Sequence, residues 1–341
     1  MNFTKAKYYL MPAAICLIGM LVLCYYYFFS SFNSKDTTQY LYIDNDDTAD
    51  SIYVKLAPIG STHSMTGLRT LIRHCSYEDN IITGRYAIEP GMSITRVFHM
   101  LKRGHQTPMN LTIPEVRTME LMAGALARKL MLDSLTIVQS LHSPDYCQQL
   151  GYDTATIACI FIPNTYEVYW NTTLDVLMKR MKKEHDVFWT EERLQKAKRK
   201  GLTPNEVAIL ASIVDEETTT NAEKPMVAGM YLNRLHKNMP LQADPTVKFA
   251  VGDFSLRRIH HKHLMTDSPY NTYRYAGLPP GPIKVASIQG TDAVLNATPH
   301  DYLYMCAKED FSGTHNFART LQEHLQNARR YQQALNQRGI Q

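Results

Sequence analysis

The sequence predicts an α+β protein: an N-terminal transmembrane helix, a small α/β unit of short strands around helices, and a larger mixed α+β domain that carries a groove. Three observations lead there. One is an uncharged apolar run near the start. The second is a pair of short strand patterns flanking a well-capped helix between residues 80 and 114. The third is a longer series of amphipathic helices followed by a stretch rich in Pro, Gly, Asn and Tyr.

The apolar run is Tyr8 to Phe29, long enough to cross the hydrocarbon core of a bilayer as one helix. Lys5 and Lys7 precede it, and Tyr25, Tyr26 and Tyr27 sit at its far end as an aromatic belt. Asp44, Asp46, Asp47 and Asp50 follow on the other side. The positive-inside rule therefore places residues 1–7 in the cytosol and the rest outside it, in a single-pass arrangement at the cytoplasmic (inner) membrane. A cleaved signal peptide is the competing reading. The run is longer than a usual signal core, and no A-x-A site follows it, so an uncleaved anchor is expected.

Residues 30–40 are polar and read as a tether, 41–110 as the small unit, and 111–341 as the large domain. Within the small unit one strand is expected in Tyr40 to Val54, and a second in Ile81 to Ile88. Glu89-Pro90-Gly91 makes a turn. Ser93 then caps a helix bearing Ile94, Val97, Phe98 and Leu101 and ending at Gly104. Asn110 to Pro114 reads as a strand.

In the large domain Thr118 caps a helix carrying Leu121, Met122, Ala125, Leu126 and Leu130, and another amphipathic helix covers Thr173 to Phe188. Lys196, Lys198, Arg199 and Lys200 follow Glu191 and Glu192 and read as a solvated helical face. Asn221 is expected to cap a helix from Ala222 to Leu235, with Met226, Met230 and Asn233 on one face and Arg234 beside them. From Pro240 on periodicity is thin, as in sequence that walls a site.

With 45% hydrophobic and 20% charged residues the chain is ordinary globular protein, and a net charge of +4 gives no argument for nucleic acid. Outside the apolar run the cysteines are Cys75, Cys147, Cys159 and Cys306, whose wide spacings leave pairing open. His260, His261 and His263 invite a metal reading, but no carboxylate or cysteine stands at ligand spacing beside them. A basic surface loop is the simpler account, and no metal or cofactor is expected.

The most telling segment is Leu202 to Thr246. Thr203 caps a helix, Pro204 fits its first position, and Glu206 completes a capping box. At about 100° per residue, Leu210, Ile213 and Val214 form an apolar side with Glu217 near its centre. Asp215 points roughly the opposite way and Glu216 to the flank. A carboxyl held against apolar neighbours resists ionisation, so Glu217 is expected to keep a proton near neutrality, ready for a leaving group. The plainer reading, that Glu217 ends a fraying turn and reaches water past Thr218, Thr219 and Thr220, stays open.

Several polar blocks now stand in a fixed order: ASIVDEET (Ala211 to Thr218), GMYLNRL (Gly229 to Leu235), MPLQADPTV (Met239 to Val247), SPYNTYRYAGLPPGPI (Ser268 to Ile283) and YLYMCAKEDFSGTHNFART (Tyr302 to Thr320). Together they resemble the YceG-like family of endolytic murein transglycosylases. Upstream, GRYAIEPGMSITRVFHMLKRG (Gly84 to Gly104) is similar to that family's LysM-like part and FIPNTYEVYWNTT (Phe161 to Thr173) to its aromatic loop. The resemblance runs with gaps from about residue 80 to 335. It departs at Asp215, where the family has Glu, in the individual stretch Gly252 to Asp267, and in Tyr40 to Tyr77.

The resemblance implies cleavage, without water, of the β-1,4 bond between N-acetylmuramic acid and N-acetylglucosamine. Its catalytic acid falls on Glu217, the residue that helical phase selects. Ordinary glycosidases use two carboxyl groups, about 5 to 5.5 Å apart when retaining and about 6.5 to 9.5 Å when inverting. A transglycosylase manages with one, because the sugar's own C6 hydroxyl is the nucleophile and the product ends in a 1,6-anhydro ring. Asn233, Gln242, Asp244, Thr246, Tyr270, Asn271, Thr272, Tyr273 and His315 are then expected to bind substrate, with Phe317 near them. Gly277 to Gly281 would form a rigid wall. Glycan strands and the bilayer are the expected partners, with cell-wall synthases as candidates. A muramidase-type hydrolase using Asp244 or Asp215, a non-catalytic peptidoglycan-binding anchor, and metal-dependent peptide hydrolysis at the His260 cluster are the rivals.

Overall fold

The computed structural model describes residues 3–256 and 258–339. The outermost residues of the expected cytoplasmic segment and of the expected large domain, and residue 257 within the individual stretch, lie outside the described residues. The fold is mixed α+β, with helices far outweighing three two-stranded sheets. The chain divides into two compact units. The first runs to Leu111 and takes in Lys129–Met131 and Glu167–Thr172; the second holds Thr112–Arg128, Leu132–Tyr166 and the chain from Thr173 on.

The first unit begins with α1 (Phe3–Cys24), which passes into a π-helical turn at Tyr25–Phe29. Leu10–Phe29 is long and apolar enough to cross a membrane, and none of it is buried in the protein. Strand β1 (Gln39–Ile43), α2 (Ala49–Leu56), α3 (Thr62–His74), β2 (Gly84–Ile88) and α4 (Ile94–Arg103) follow. β1 and β2 pair antiparallel, with Leu41 opposite Tyr86. Alternation sends Leu41, Ile43, Tyr86 and Ile88 inward onto Leu68, Ile72, Val97 and Leu101 of the helices. Ser93 caps α4, and Gly104 closes it with φ +64°, a left-handed conformation that glycine adopts without penalty.

The structure differs from the sequence reading at three places in this unit. The one strand expected in Tyr40 to Val54 is present as Gln39–Ile43, starting one residue earlier, but the rest of that stretch is not extended: Thr48 and Ser51 form a capping box that starts α2, and Ile52 and Leu56 fall on one helical face. Helix α3 was not foreseen, because Thr, Ser, His and Arg dilute the apolar pair Leu68 and Ile72. The stretch 30–40 does not hang free. Phe32 is fully buried, its N–H donates to Met92 O at 2.8 Å, and Asn33 Nδ2 donates to Ile88 O at 2.8 Å.

Strands β3 (Met109–Thr112) and β4 (Thr165–Val168) pair with each other. The second unit holds α5 (Met119–Ala127), α6 (Ser134–Leu141), α7 (Pro144–Gln149), α8 (Leu174–Phe188), α9 (Glu191–Arg199), α10 (Pro204–Glu217) and α11 (Lys224–His236). It continues with α12 (Asp244–Val251), α13 (His261–Leu264), α14 (Ile288–Leu295), the antiparallel hairpin β5 (Tyr304–Ala307) and β6 (His315–Ala318), and α15 (Leu321–Gln337). Helix α10 is the axis of its core: Val207, Leu210, Ala211, Ile213 and Val214 are sealed among Val227, Tyr231, Leu241, Ile283 and Val294.

Thr118 caps α5 as expected, although Leu121 faces solvent and Leu130 lies beyond the end of α5; the helix expected over Thr173 to Phe188 is α8, with Thr173 as its cap. The capping box of Thr203 and Glu206 is present, with Pro204 in the first turn. Helix α11 starts later than expected, with Glu223 rather than Asn221 at the cap. Pro225 explains it, since a residue without an N–H and with φ near −65° belongs in a first turn. The region after Pro240 is more helical than its sequence suggests. Helix α15 starts at the Thr320–Glu323 capping box and, although none of its residues is fully buried, lays one half-buried face on the hairpin region, with His324 stacked on Tyr304 and Tyr331 against Phe311. Cys75, Cys147, Cys159 and Cys306 are free thiols.

Candidate functional site

Helix α10 ends at Glu217, and Thr218 turns out of the helix into extended backbone with φ −143°. The end does not fray into water. Glu217 lines a cleft of about 360 Å³ whose floor comes from α11, one wall from the α11–α12 connection and the other from the β5–β6 hairpin. The Tyr231 hydroxyl, from the middle of α11, donates to Glu217 Oε1 at 2.7 Å. Burial of the carboxyl pushes its pKa up to about 7; the Tyr231 hydrogen bond and Lys248 oppose this, while the negative charges of Asp244 and Glu216 add to it.

The three consecutive acids have three environments. Asp215, on the far side of α10, accepts from Lys224 Nζ at 2.7 Å, from Ser287 N at 2.7 Å and from Ser287 Oγ at 2.8 Å. Its carboxyl is at least as buried as the lysine that pairs with it, so the acid that points away from Glu217 is a knot between α10, α11 and the start of α14. Gly290 of α14 lies so close that a Cβ there would stand 2.4 Å from Asp215 Oδ1. Glu216 pairs with Arg117 at 2.7 Å on the flank.

Gln242, Asp244, Tyr273 and His315 also line the cleft. Tyr273 Oη donates to Asp244 Oδ1 at 2.6 Å, joining the loop after α13 to the start of α12. His315 is held by Glu223, whose carboxylate accepts from its backbone N–H at 2.7 Å and from Nδ1 at 3.0 Å. Gln242 has φ +53°, a strained value for a residue with a side chain.

The other expected binding residues are not among the cleft's lining. Asn233 Nδ2 donates to His300 O and Tyr302 O and so fixes the approach to the hairpin. Thr246 and Thr272 are buried and joined hydroxyl to hydroxyl at 2.8 Å. Asn271 is buried with Nδ2 on Leu264 O and Thr266 O. Tyr270 packs its ring on Phe249, with centroids 4.7 Å apart. Polar side chains in loop-rich sequence most often satisfy buried backbone groups; Asn233, Thr246, Asn271 and Thr272 do so, and Tyr270 is the fifth, held by packing. Phe317 packs on the core of the unit. Gly277 to Gly281 are not among the cleft's lining either; a Cβ on Gly281 would come 2.0 Å from Ala155 O, while Gly277 has open space around it.

Sequence reasoning missed Tyr231, Tyr304 and His324 of the cleft and gave Arg234 no role there. Tyr231 follows Met230 in a stretch whose spacing was read for apolar residues, and its link to Glu217 is tertiary. Among the described residues no group of His, Cys, Asp and Glu is arranged to hold a metal ion. His260 and His263 belong instead to the start of α13, where His263 Nδ1 accepts the His260 backbone N–H at 3.2 Å.

The fold and cleft define a mixed α+β chain with a sheltered, protonatable carboxyl at a helix end. Comparison with known proteins makes the class specific. Residues 41–330 match the YceG-like family, and the chain belongs to it. An endolytic murein transglycosylase from Bacillus subtilis is 30% identical over 271 residues, covering 75% of this chain and 74% of that protein. A protein of the same name from Streptococcus pneumoniae is 32% identical over 153 residues, covering 42% of this chain and 27% of its own length. The crystal structure of a putative YceG-like protein from Listeria monocytogenes superimposes with a TM-score of 0.56 at 25% identity, over 86% of this chain and 99% of that one.

Proposed function

We propose that this chain is a membrane-anchored endolytic lytic transglycosylase of peptidoglycan. Glu217 is its acid and base, and 1,6-anhydromuramoyl ends are its product. The observation that carries the reading is the Glu217 carboxyl itself, which is sheltered, held by Tyr231 and kept protonated up to about pH 7 inside a polar cleft. The names of the relatives support the substrate.

In this mechanism Glu217 donates its proton to the glycosidic oxygen as the bond to C1 of N-acetylmuramic acid breaks. The resulting carboxylate then takes the proton of the C6 hydroxyl as that oxygen attacks C1, which restores the acid. Proton count balances without water. Tyr231 holds the carboxyl in one rotamer through both steps, and Asp244, Tyr273, Gln242 and His315 bind and orient the sugars.

Residues 41–110 serve as a LysM-like unit that holds glycan, and 111–341 as the catalytic domain with its groove. Tyr8 to Phe29 is the anchor, with residues 1–7 in the cytosol and the catalytic domain on the outer face of the cytoplasmic membrane. There the enzyme would trim or terminate nascent strands beside cell-wall synthases. A hydrolytic muramidase is the second reading. It is favoured by Asp244, a second carboxyl in the same cleft, and no longer by Asp215, which is committed to Lys224 and Ser287.

Digestion of purified sacculi by the full-length chain and by Glu217→Gln, with mass analysis of the new ends, tests both. Ends lighter by one water than a reducing end, absent with the variant, are expected. Reducing ends would replace the transglycosylase by the hydrolase, and anhydro ends from the variant would remove Glu217 from the chemistry.

A further inference from the structure

Arg234 is the only Lys or Arg side chain among the described residues that line the cleft, and it is 5% exposed. A guanidinium so deeply placed ordinarily faces a carboxylate. Here the protein supplies only neutral acceptors. Nε donates to Leu303 O at 2.6 Å, and Nη1 donates to Leu241 O at 2.7 Å, Pro240 O at 3.0 Å and Gln242 Oε1 at 3.2 Å. Its plane lies over the Tyr304 ring, 5.2 Å from the centroid.

Nη2 has no acceptor among the described residues, yet it is not sealed within the protein. The nearby cleft carboxylate, Asp244, is turned to the Tyr273 hydroxyl instead. Strained backbone at Gln242 keeps its amide oxygen on Nη1, so the guanidinium is locked in direction with one edge left over. A fixed, half-used fork with a full positive charge is a receptor for an anion, and its planar geometry suits a carboxylate.

Resting on the peptidoglycan reading above, we infer that Arg234 is a carboxylate-recognition residue of the cleft, pairing through Nη2 with an acidic group carried by the glycan. Two sources offer that chemistry. One is the lactyl carboxylate of an N-acetylmuramic acid without its peptide stem; the other is a carboxylate of the stem itself, whose attachment converts the lactyl group to an amide. The site therefore sets which substituted strands are cut, and Arg234 is a specificity residue rather than a participant in bond breaking.

The test uses full-length Glu217→Gln protein in detergent, so that binding is read without turnover. Calorimetry compares three glycan oligomers of one length: stem-free, stem-free with each lactyl carboxylate converted to its methylamide, and stem-bearing. One carboxylate-bearing oligomer is expected to bind about ten- to a hundred-fold tighter than the methylamide, the range of a charge-assisted hydrogen bond. Which of the two does so identifies the source.

Adding Arg234→Gln should reduce that preference to within about two-fold while the methylamide binds as before, and Arg234→Lys should retain part of it. Equal binding of all three oligomers to protein with Arg234 intact would overturn the inference, and that comparison decides the matter even if the substitutions unfold the chain. A carboxylate preference in a protein whose parent releases no anhydro ends would sink the transglycosylase reading alone. Anhydro ends with no preference would sink this one alone.

Discussion

A carboxyl kept neutral by burial must weaken the fold when pH forces it to ionise, and Glu217 allows the size of that effect to be worked out. Its folded pKa of about 7 stands above the ordinary value of 4.5. Between those two values the native protein holds a proton that the unfolded chain has released, so stability falls as pH rises through the window and loses nothing further above it. The full span corresponds to about 3 kcal/mol, and the part between pH 5 and pH 8 to about 2.5 kcal/mol. Residual exposure through the cleft makes the latter an upper figure, and a change of roughly 1 to 2.5 kcal/mol is expected.

Gln at position 217 keeps the shape and the Tyr231 contact without a titrating proton. The advantage of Glu217→Gln over the parent in urea unfolding should therefore grow by that amount from pH 5 to pH 8, while cleavage of glycan is lost at both. Trp189, buried in the core around α10, reports the unfolding of this unit when Trp170 is replaced by Phe. Stability curves for the two proteins that stay parallel, within about 0.5 kcal/mol across the range, would show that Glu217 ionises freely and refute the argument.

Further outcomes follow from the neighbours. Tyr231→Phe removes the hydrogen bond that favours the charged form of Glu217, so the alkaline limb of the pH–rate profile should move up by roughly one to two pH units. Asp244→Asn removes a negative charge beside Glu217 and should move the same limb down. Lys224→Met leaves the Asp215 carboxylate buried without its cation and should cost about 3 to 5 kcal/mol in denaturant unfolding. Gly290→Ala drives a methyl group onto Asp215 and should cost about 1 to 3 kcal/mol, read in the same way.

Local signals in the sequence located α10 well. The Thr203–Glu206 box and Pro204 mark its start, and 3.6-residue phase sets Glu217 apart from Asp215. The surroundings of those acids were not legible, because they come from elsewhere in the chain: Tyr231 lies 14 residues on, and Ser287 lies 72 residues from Asp215. Polar loop residues were the weakest inference. Gln242 and Thr246 stand four apart in one motif, yet one borders the cleft and the other is sealed under it against Thr272. Nothing in their chemistry separates them, since an amide or hydroxyl serves a sugar and a stranded backbone group equally well. Helices α3 and α15 escaped for another reason: each has a helical period, but few of the residues on its inner face are aliphatic.

The knot at Asp215 has a consequence for how this lineage can vary. A carboxylate one methylene longer would have to fit between Lys224, the Ser287 amide and the unsubstituted face of Gly290, where there is no slack for it. Asp215→Glu, although chemically mild, would push α14 away from α10, and a relative with Glu at this place should compensate through a different residue or a wider gap on the facing helix. The two acids, two residues apart, are thus bound by unlike rules: one answers to the length of its side chain, the other to the mobility of its proton.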